Sequence, residues 1–255
     1  MKRKIMKRVG LLILASVFCV CGYAQSVVSV AAAANVRDAM EEIKGVYLSE
    51  NNGITINVNY GGSGMLVQQI VNGAGYDLFF SADEGYALKL KEGGYTLGEV
   101  SPYVCGKLLL YSRSIDISQI GVGAFTLNKS HKIAIANPNA APYGVKAIEA
   151  LNSLGIYDEV KSKIIYGENI GAAAQYVFSG NTDMGVIALS QYKSPTAQSG
   201  GYVAEVPDSL YSPIIQSCVA IKQKAENVEA IKFMEYVLSE KSRDIWIKYG
   251  YSVME

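Results

Sequence analysis

Short apolar runs alternate along the chain with longer segments in which apolar residues recur every three or four positions. The first pattern predicts buried β-strands and the second predicts amphipathic α-helices. The predicted strands are residues 27–30, 54–60, 77–80, 107–111, 132–136, 164–166, 184–187 and 215–221. The predicted helices are residues 36–48, 65–71, 84–90, 145–154, 172–178, 227–238 and 240–249. Because strands alternate with helices, the pattern predicts an α/β fold in which mainly parallel sheets are flanked by helices.

These units are too many for one small sheet, and the two halves of the chain share one plan of strand, loop and helix. Neither a sequence repeat nor a low-complexity linker is visible between the halves. In parallel α/β folds, ligands bind where the carboxyl ends of strands meet the starts of helices. The strand-to-helix loops are therefore the places in which to look for function.

The first residues differ from the rest of the chain. Five basic residues lie within residues 1–8, an apolar run of 13 residues follows, and Gly22-Tyr-Ala24 offers a cleavage site. This layout predicts a signal peptide at residues 1–24, because a membrane-spanning helix needs about 20 apolar residues. Attachment of a lipid to Cys21 is an alternative form of processing, although the residues before Cys21 are a poor match to a lipobox.

The net charge of the chain limits the classes of partner that it can bind. The chain has 23 basic and 23 acidic residues, so removal of the five basic residues of the signal leaves a net charge of −5. The remaining chain has no cluster of Lys and Arg, which argues against binding to nucleic acid.

Two of the four cysteines, Cys105 and Cys218, lie outside the signal, in segments with a strand-like sequence. An exported protein permits a disulfide between them, and two buried free thiols are the other interpretation. Their spacing does not resemble a metal site.

Four strand-to-helix loops are rich in small residues. We call them loop A (residues 31–35, AAAAN), loop B (residues 60–64, YGGSG), loop C (residues 137–144, NPNAAPYG) and loop D (residues 167–171, GENIG). In loop A, Asn35 is suited to the N-cap of the next helix. In loop B, Ser63 can cap or donate a hydroxyl, and the loop lacks the Gly-Lys-Ser/Thr ending of a nucleotide-binding P-loop.

Loops C and D also place accessible backbone at helix starts. Pro142 suits helix entry, so that Tyr143 and Gly144 carry the first unpaired N–H groups. Glu168 and Asn169 are better suited to capping than to binding a ligand.

Four helix N-termini that converge on one cleft would supply about +2 of charge, because each carries roughly half a positive charge. No Lys or Arg is needed for this. Such a cage suits a dianion such as molybdate, tungstate or sulfate, and it avoids ion pairs that would slow release.

Several segments, taken in chain order, resemble the periplasmic molybdate-binding proteins of ABC transporters. The matching segments are residues 31–40 (AAAANVRDAM), 60–70 (YGGSGMLVQQI), 75–83 (GYDLFFSAD), 137–151 (NPNAAPYGVKAIEAL), 167–173, 185–191 (GVIALSQ) and 249–251. They are spread over nearly all of the chain that follows the signal.

The resemblance implies a type II periplasmic-binding-protein fold, in which two α/β lobes are joined by crossing strands and hold the anion in a cleft. Lobe one would be residues 25–105 and 218–255, and lobe two residues 106–217. Lobe one would bind the anion through the side chains and backbone of Asn35 and Ser63. Lobe two would bind it through the backbone N–H groups of Tyr143 and Ile170. Ala34, beside Asn35, is a further candidate contact.

One position departs from the family pattern. Some members place a Tyr hydroxyl on the ligand from the segment that matches residues 185–191, whereas this chain has Ala188 there. Either Tyr143 supplies a hydroxyl instead, or the cage has one donor fewer.

The resemblance implies an exported subunit that captures molybdate, and also tungstate, and delivers it to a membrane permease. It implies no resident cofactor, since molybdenum is held only within the oxyanion, and a monomer that docks on the permease. Sulfate or phosphate on the same fold is the main alternative. A sensory or adhesion module is another. An enzyme is disfavoured, because Ser63 has no evident base and His131 lies outside the four loops.

Overall fold

The computed structural model of the chain describes residues 26–128, 131–195, 200–223 and 226–254. The predicted signal peptide, with Cys21, lies outside these residues. Within the described ranges, every helix is too short or too polar to cross a membrane.

Eleven strands and nine α-helices are found in the described residues. The strands are β1 (Ser26–Ala33), β2 (Ile54–Gly61), β3 (Leu78–Phe80), β4 (Thr96–Gly106), β5 (Leu108–Ser112), β6 (Ile133–Ala136), β7 (Ile164–Gly167), β8 (Met184–Ala188), β9 (Tyr202–Glu205), β10 (Ile214–Ile221) and β11 (Ser252–Val253). The helices are α1 (Arg37–Glu50), α2 (Ser63–Val71), α3 (Glu84–Glu92), α4 (Pro142–Ser153), α5 (Tyr157–Val160), α6 (Ile170–Phe178), α7 (Leu189–Lys193), α8 (Val228–Leu238) and α9 (Glu240–Lys248).

The strands form two sheets, which confirms the predicted two-lobed α/β fold. The first sheet has the order β11-β4-β10-β3-β1-β2 and the second has the order β7-β6-β8-β5-β9. Both sheets are mixed. Strand β1 runs parallel to β2 and β3, and β6 runs parallel to β7 and β8, whereas β4, β5, β9, β10 and β11 pair antiparallel. The parallel strands are those that lead into loops A to D, so the mainly parallel character holds for the part of each sheet that carries the loops.

Strands β4 and β10 are the long antiparallel pair at which the chain passes between the sheets. Strand β4 ends at Gly106, and β5 of the second sheet begins at Leu108. On the return, β10 pairs with β4 from Ile214 onward, ahead of the position 218 at which the sequence placed the return to lobe one. Both strands belong to the first sheet, and the chain crosses between the lobes after Gly106 and before Ile214, so we call β4 and β10 the hinge strands.

The core follows from side chains that alternate between the two faces of each strand. In β3, Leu78 and Phe80 pack in one cluster and Phe79 packs in another, on the opposite face. In β5, Leu108 and Leu109 are divided between two clusters in the same way. The centre of each sheet is therefore buried on both faces, which explains the continuous apolar sequences of strands such as β3 and β6.

Cys105 and Cys218 are both free thiols. They lie on the neighbouring strands β4 and β10, but Cys105 is paired with Ile215 and Cys218 with Ser101 in the ladder. Of the two interpretations left open by the sequence, the structure supports free thiols. Burial raises the pKa of the Cys218 thiol to about 12, which makes it unreactive at neutral pH.

Helix α3 begins with an N-cap that can be tested. The Asp83 carboxylate accepts a hydrogen bond of 3.0 Å from the backbone N–H of Tyr86. We expect Asp83→Ala to lower the free energy of unfolding by about 1 kcal/mol, because this N–H loses its partner. Asp83→Asn keeps an acceptor and should lie within a few tenths of a kcal/mol of the parent. Urea unfolding followed by circular dichroism measures both variants, and equal losses would contradict the capping role.

Candidate functional site

Loops A to D meet between the two lobes. The backbone N–H of Gly64 in loop B donates to the carbonyl oxygen of Ala140 in loop C at 3.0 Å. A Cβ on Gly171 of loop D would lie 3.5 Å from the Cβ of Ala34 in loop A. Loops of lobe one therefore touch loops of lobe two, and the lobes are closed on each other.

Three helix starts in this interface carry free backbone donors. Ser63 and Ile170 are the first residues of α2 and α6, and Tyr143 is the second residue of α4. Among the described residues, none accepts a hydrogen bond from the backbone N–H of these three. All three residues are buried, with exposed fractions of 0%, 3% and 1% in that order. Unpaired donors that point into a buried interface at the positive ends of helices are suited to an anion.

Gly144 lets the start of α4 approach the sheet. A Cβ at this position would lie 2.2 Å from the carbonyl oxygen of Ala136, at the end of β6. Only glycine permits this contact, which places the neighbouring N–H of Tyr143 directly beyond the carboxyl end of the strand.

Ser63 is not a helix cap, contrary to one of the two roles predicted for it. The N-cap position of α2 belongs to Gly62, and the Ser63 hydroxyl oxygen accepts the backbone N–H of Ala82 at 3.0 Å. This bond uses a lone pair and leaves the hydroxyl hydrogen unused within the described residues. Ser63 can therefore present two donors, its N–H and its O–H, to the same ligand.

Asn35 is not an N-cap either, because a short 3-10 turn at Ala34–Val36 precedes α1 and Asn35 lies in the middle of it. Its side-chain Nδ2 donates to Gln216 Oε1 at 2.8 Å and to the Tyr251 hydroxyl at 2.9 Å. Its carbonyl oxygen accepts from the Ser190 hydroxyl at 2.9 Å and from Tyr251 at 2.8 Å. Asn35 is 4% exposed, and its Oδ1 has no hydrogen-bond partner among the residues that the structure describes.

The Tyr143 hydroxyl points toward the hinge strands. It accepts a hydrogen bond of 3.1 Å from Gln216 Nε2 on β10 and lies against Gly106 at the end of β4. Burial raises the pKa of this hydroxyl well above its ordinary value, so it keeps its proton at neutral pH. Its own hydrogen remains available for an acceptor.

The groups that bond to Asn35, Ser63 and Tyr143 are all neutral. In the described part of the chain, no group of three or more His, Cys, Asp or Glu residues could hold a metal ion. Of the two capping residues predicted in loop D, Asn169 caps α6, since its side chain accepts from the N–H of Ala172 at 3.0 Å, whereas Glu168 is exposed and is not the N-cap. The site is therefore buried and uncharged, and it combines several unpaired donors with one unpaired acceptor, Asn35 Oδ1.

Comparison with known proteins shows the family to which the chain is related. The model of the bacterial extracellular solute-binding proteins matches residues 28–252. The molybdate-binding protein ModA of Azotobacter vinelandii is 33% identical over 234 residues, which are 91% of this chain and 92% of that protein. The ModA protein of Rhodobacter capsulatus is 35% identical over 223 residues, which are 87% of this chain and 86% of that protein.

Comparison with solved structures indicates the same family. The periplasmic molybdate-binding protein of A. vinelandii has a TM-score of 0.83 at 33% identity, covering 89% of this chain and all of that one. The chain belongs to the molybdate-binding family of bacterial extracellular solute-binding proteins. The sulfate-binding protein SubI of Mycobacterium tuberculosis, at 12% identity and a TM-score of 0.72, shares the fold alone, with 90% of this chain and 88% of that one covered.

In this member of the molybdate-binding family, Ala188 is the position that departs from the family pattern, and its segment contacts loop D. The N–H of Ala188 donates to Gln191 Oε1 at 3.0 Å, and Gln191 Nε2 donates to the carbonyl oxygen of Ile170 at 3.0 Å. The segment that contains Ala188 therefore supports loop D through backbone and amide groups.

Sequence reasoning missed Gln216 and Ser190 as members of the site. Gln216 is fully buried in β10, and Ser190 on α7 reaches the carbonyl oxygen of Asn35 across the interface. One signal was present in the sequence, namely the polar pair Gln216-Ser217 inside the apolar run of β10. The match at residues 249–251 already included Tyr251, although it assigned no contact to it.

Gly106 is the hinge residue whose replacement is most informative. A Cβ there would lie 2.0 Å from the Tyr143 hydroxyl oxygen and 2.8 Å from Gln216 Nε2. We expect Gly106→Ala to lower the free energy of unfolding by about 1–3 kcal/mol, because it overpacks this junction. Gly75→Ala, at an exposed position with no atom within 4 Å, should be nearly neutral. Thermal unfolding of the two variants tests this, and a neutral Gly106→Ala would contradict the packing described above.

Proposed function

We propose that this protein is the exported solute-binding subunit of an ABC transporter, which captures molybdate, and also tungstate, between its lobes and delivers it to the membrane permease. One observation carries the proposal. Buried, unpaired backbone donors from both lobes face one closed interface in a member of the molybdate-binding family. Export would follow from the signal at residues 1–24, with lipid attachment at Cys21 as the alternative.

The proposed contacts use both lobes. Lobe one contributes Asn35 and both the N–H and the hydroxyl of Ser63. Lobe two contributes the backbone N–H groups of Tyr143 and Ile170. Ala34, which packs beside loop D, is a further contact through its backbone. All these groups are neutral, so the dianion would be stabilised by dipoles and hydrogen bonds with no ion pair to break on release.

The backbone N–H groups and the Ser63 hydroxyl hydrogen in the site favour a fully deprotonated anion over phosphate. Near neutral pH phosphate carries a proton, which needs an acceptor in the site. The one carboxylate in the four loops belongs to Glu168, and this residue is exposed. Sulfate remains the second candidate, because it has the charge and shape of molybdate and differs mainly in size.

The same geometry supports binding rather than catalysis. Among the described residues, none accepts the Ser63 O–H, so this part of the chain positions no base to activate the hydroxyl. His131 lies before β6, at the opposite end of that strand from loop C. We therefore propose a monomeric carrier that needs no cofactor.

The anion preference can be measured by competition. Trp246, the single tryptophan of the chain, packs against Tyr251 at 5.3 Å between ring centroids, and the Tyr251 hydroxyl bonds to Asn35. We expect molybdate to change the Trp246 fluorescence, tungstate to compete with it, and sulfate and phosphate to compete weakly. Calorimetry with the same four anions provides an independent measurement. A folded protein that binds sulfate or phosphate more tightly than molybdate would refute the proposal.

Ser63 offers the most direct test of a proposed contact. We expect Ser63→Ala to weaken molybdate binding roughly 10- to 100-fold, because a hydroxyl donor to a charged ligand is lost. Ser49→Ala, which removes an exposed hydroxyl from lobe one, is the matched control and should leave the Kd unchanged. Equal Kd values for parent and Ser63→Ala would remove Ser63 from the site.

A further inference from the structure

Gln216 occupies an unusual place, because its fully buried carboxamide joins three separate parts of the molecule. Its Oε1 accepts from Asn35 Nδ2 at 2.8 Å and from the Tyr103 hydroxyl on β4 at 3.2 Å. Its Nε2 donates to the Tyr143 hydroxyl of lobe two at 3.1 Å. A side chain on the hinge strand therefore contacts a proposed anion ligand from each lobe.

The hydrogen bonds of Asn35 conflict with its proposed role in this arrangement. Nδ2 already gives one hydrogen to Gln216 and one to Tyr251, so neither is free for a ligand. The atom without a partner is Oδ1, a buried acceptor. An acceptor repels an oxyanion, and a buried acceptor without a partner is itself unfavourable.

Half a turn of the Asn35 carboxamide exchanges Oδ1 and Nδ2 and so removes this conflict. The NH2 group, and not Oδ1, is then the group without a protein partner. Oδ1 would then face Gln216 Oε1, and two acceptors would stand in contact. Gln216 must therefore turn as well and present Nε2 to Asn35. The two amides must rotate together, and the Tyr251 hydroxyl must turn with them.

The turned arrangement also moves the single hydroxyl hydrogen of Tyr251 from the carbonyl oxygen of Asn35 to Oδ1, so that this carbonyl oxygen keeps only the hydrogen bond from Ser190. The rest of the network keeps its hydrogen bonds. Gln216 Nε2 then gives one hydrogen to Asn35 Oδ1 and the other to the Tyr103 hydroxyl, which still donates to the carbonyl oxygen of Ser81. Gln216 Oε1 accepts from the Tyr143 hydroxyl, which has a hydrogen to give. Tyrosine hydroxyls can reverse direction in this way because each is both donor and acceptor.

We propose that Gln216 is a positioning residue that decides which end of the Asn35 carboxamide faces the anion. With the NH2 end inward, the site selects fully deprotonated dianions. With Oδ1 inward, it tolerates an anion that carries a proton. The Tyr143 hydroxyl serves Gln216 and not the anion. This inference rests on the proposed function, and it adds a cause for the selectivity of the site.

A double-mutant cycle with Gln216→Met and Asn35→Ala tests the proposal. Methionine keeps the length of the side chain and removes both polar atoms. We expect Gln216→Met to weaken molybdate binding roughly 10-fold in the parent and to have no further effect when Asn35 is alanine. The ratio of the phosphate Kd to the molybdate Kd should fall in Gln216→Met, because Asn35 can then present either end. Gln69→Met, on lobe one and outside the network, is the control and should change neither quantity.

Tyr143→Phe is a second variant that keeps the test decisive if Gln216→Met does not fold. Its loss of affinity should also vanish in the Asn35→Ala background, whereas a hydroxyl that touches the anion directly would cost affinity in both backgrounds. Losses that simply add, or a Gln216→Met variant with the parent's selectivity, would overturn the positioning role while leaving molybdate binding by the parent intact. Failure of the parent to bind molybdate would overturn the proposed function and this inference together.

Discussion

The first N–H groups of a helix have no partner inside that helix. This molecule buries three such groups, those of Ser63, Tyr143 and Ile170, where the two lobes meet. Surface helices satisfy these donors with water, which the closed interface excludes. A ligand that accepts several hydrogen bonds at once therefore stabilises the closed arrangement more than any open one. By linkage, anion capture and lobe closure become one equilibrium, because the ligand favours the state in which all donors reach it.

Asn35 links that equilibrium to the rest of the fold. Its backbone is held by Ser190 of lobe two, and its side chain is held by Gln216 of the hinge strand and by Tyr251 near the end of the chain. A change in the angle between the lobes would therefore alter the hydrogen bonds of Asn35.

The aromatic cluster behind the site keeps these partners in place. Trp246 of α9 packs against both Tyr103 and Tyr251, with ring centroids 5.4 Å and 5.3 Å apart. Strand β11 pairs with β4 directly beside them. The return of the C-terminal segment to lobe one therefore serves the site, since it brings the Tyr251 hydroxyl to Asn35 and encloses the hinge in apolar surface.

The sequence by itself determined the alternation of strands and helices, the four glycine- and alanine-rich loops, and the family. Periodicity and turn chemistry are local, so loops A to D were visible, and Asn169 was correctly assigned as a cap. Asn35 was misassigned as a cap because its partners lie far along the chain. Ser190 is 155 residues away, Gln216 is 181 and Tyr251 is 216. Only the tertiary structure brings such residues together, because hydrogen bonds between distant segments depend on how the two sheets close and leave no periodic signal in the sequence.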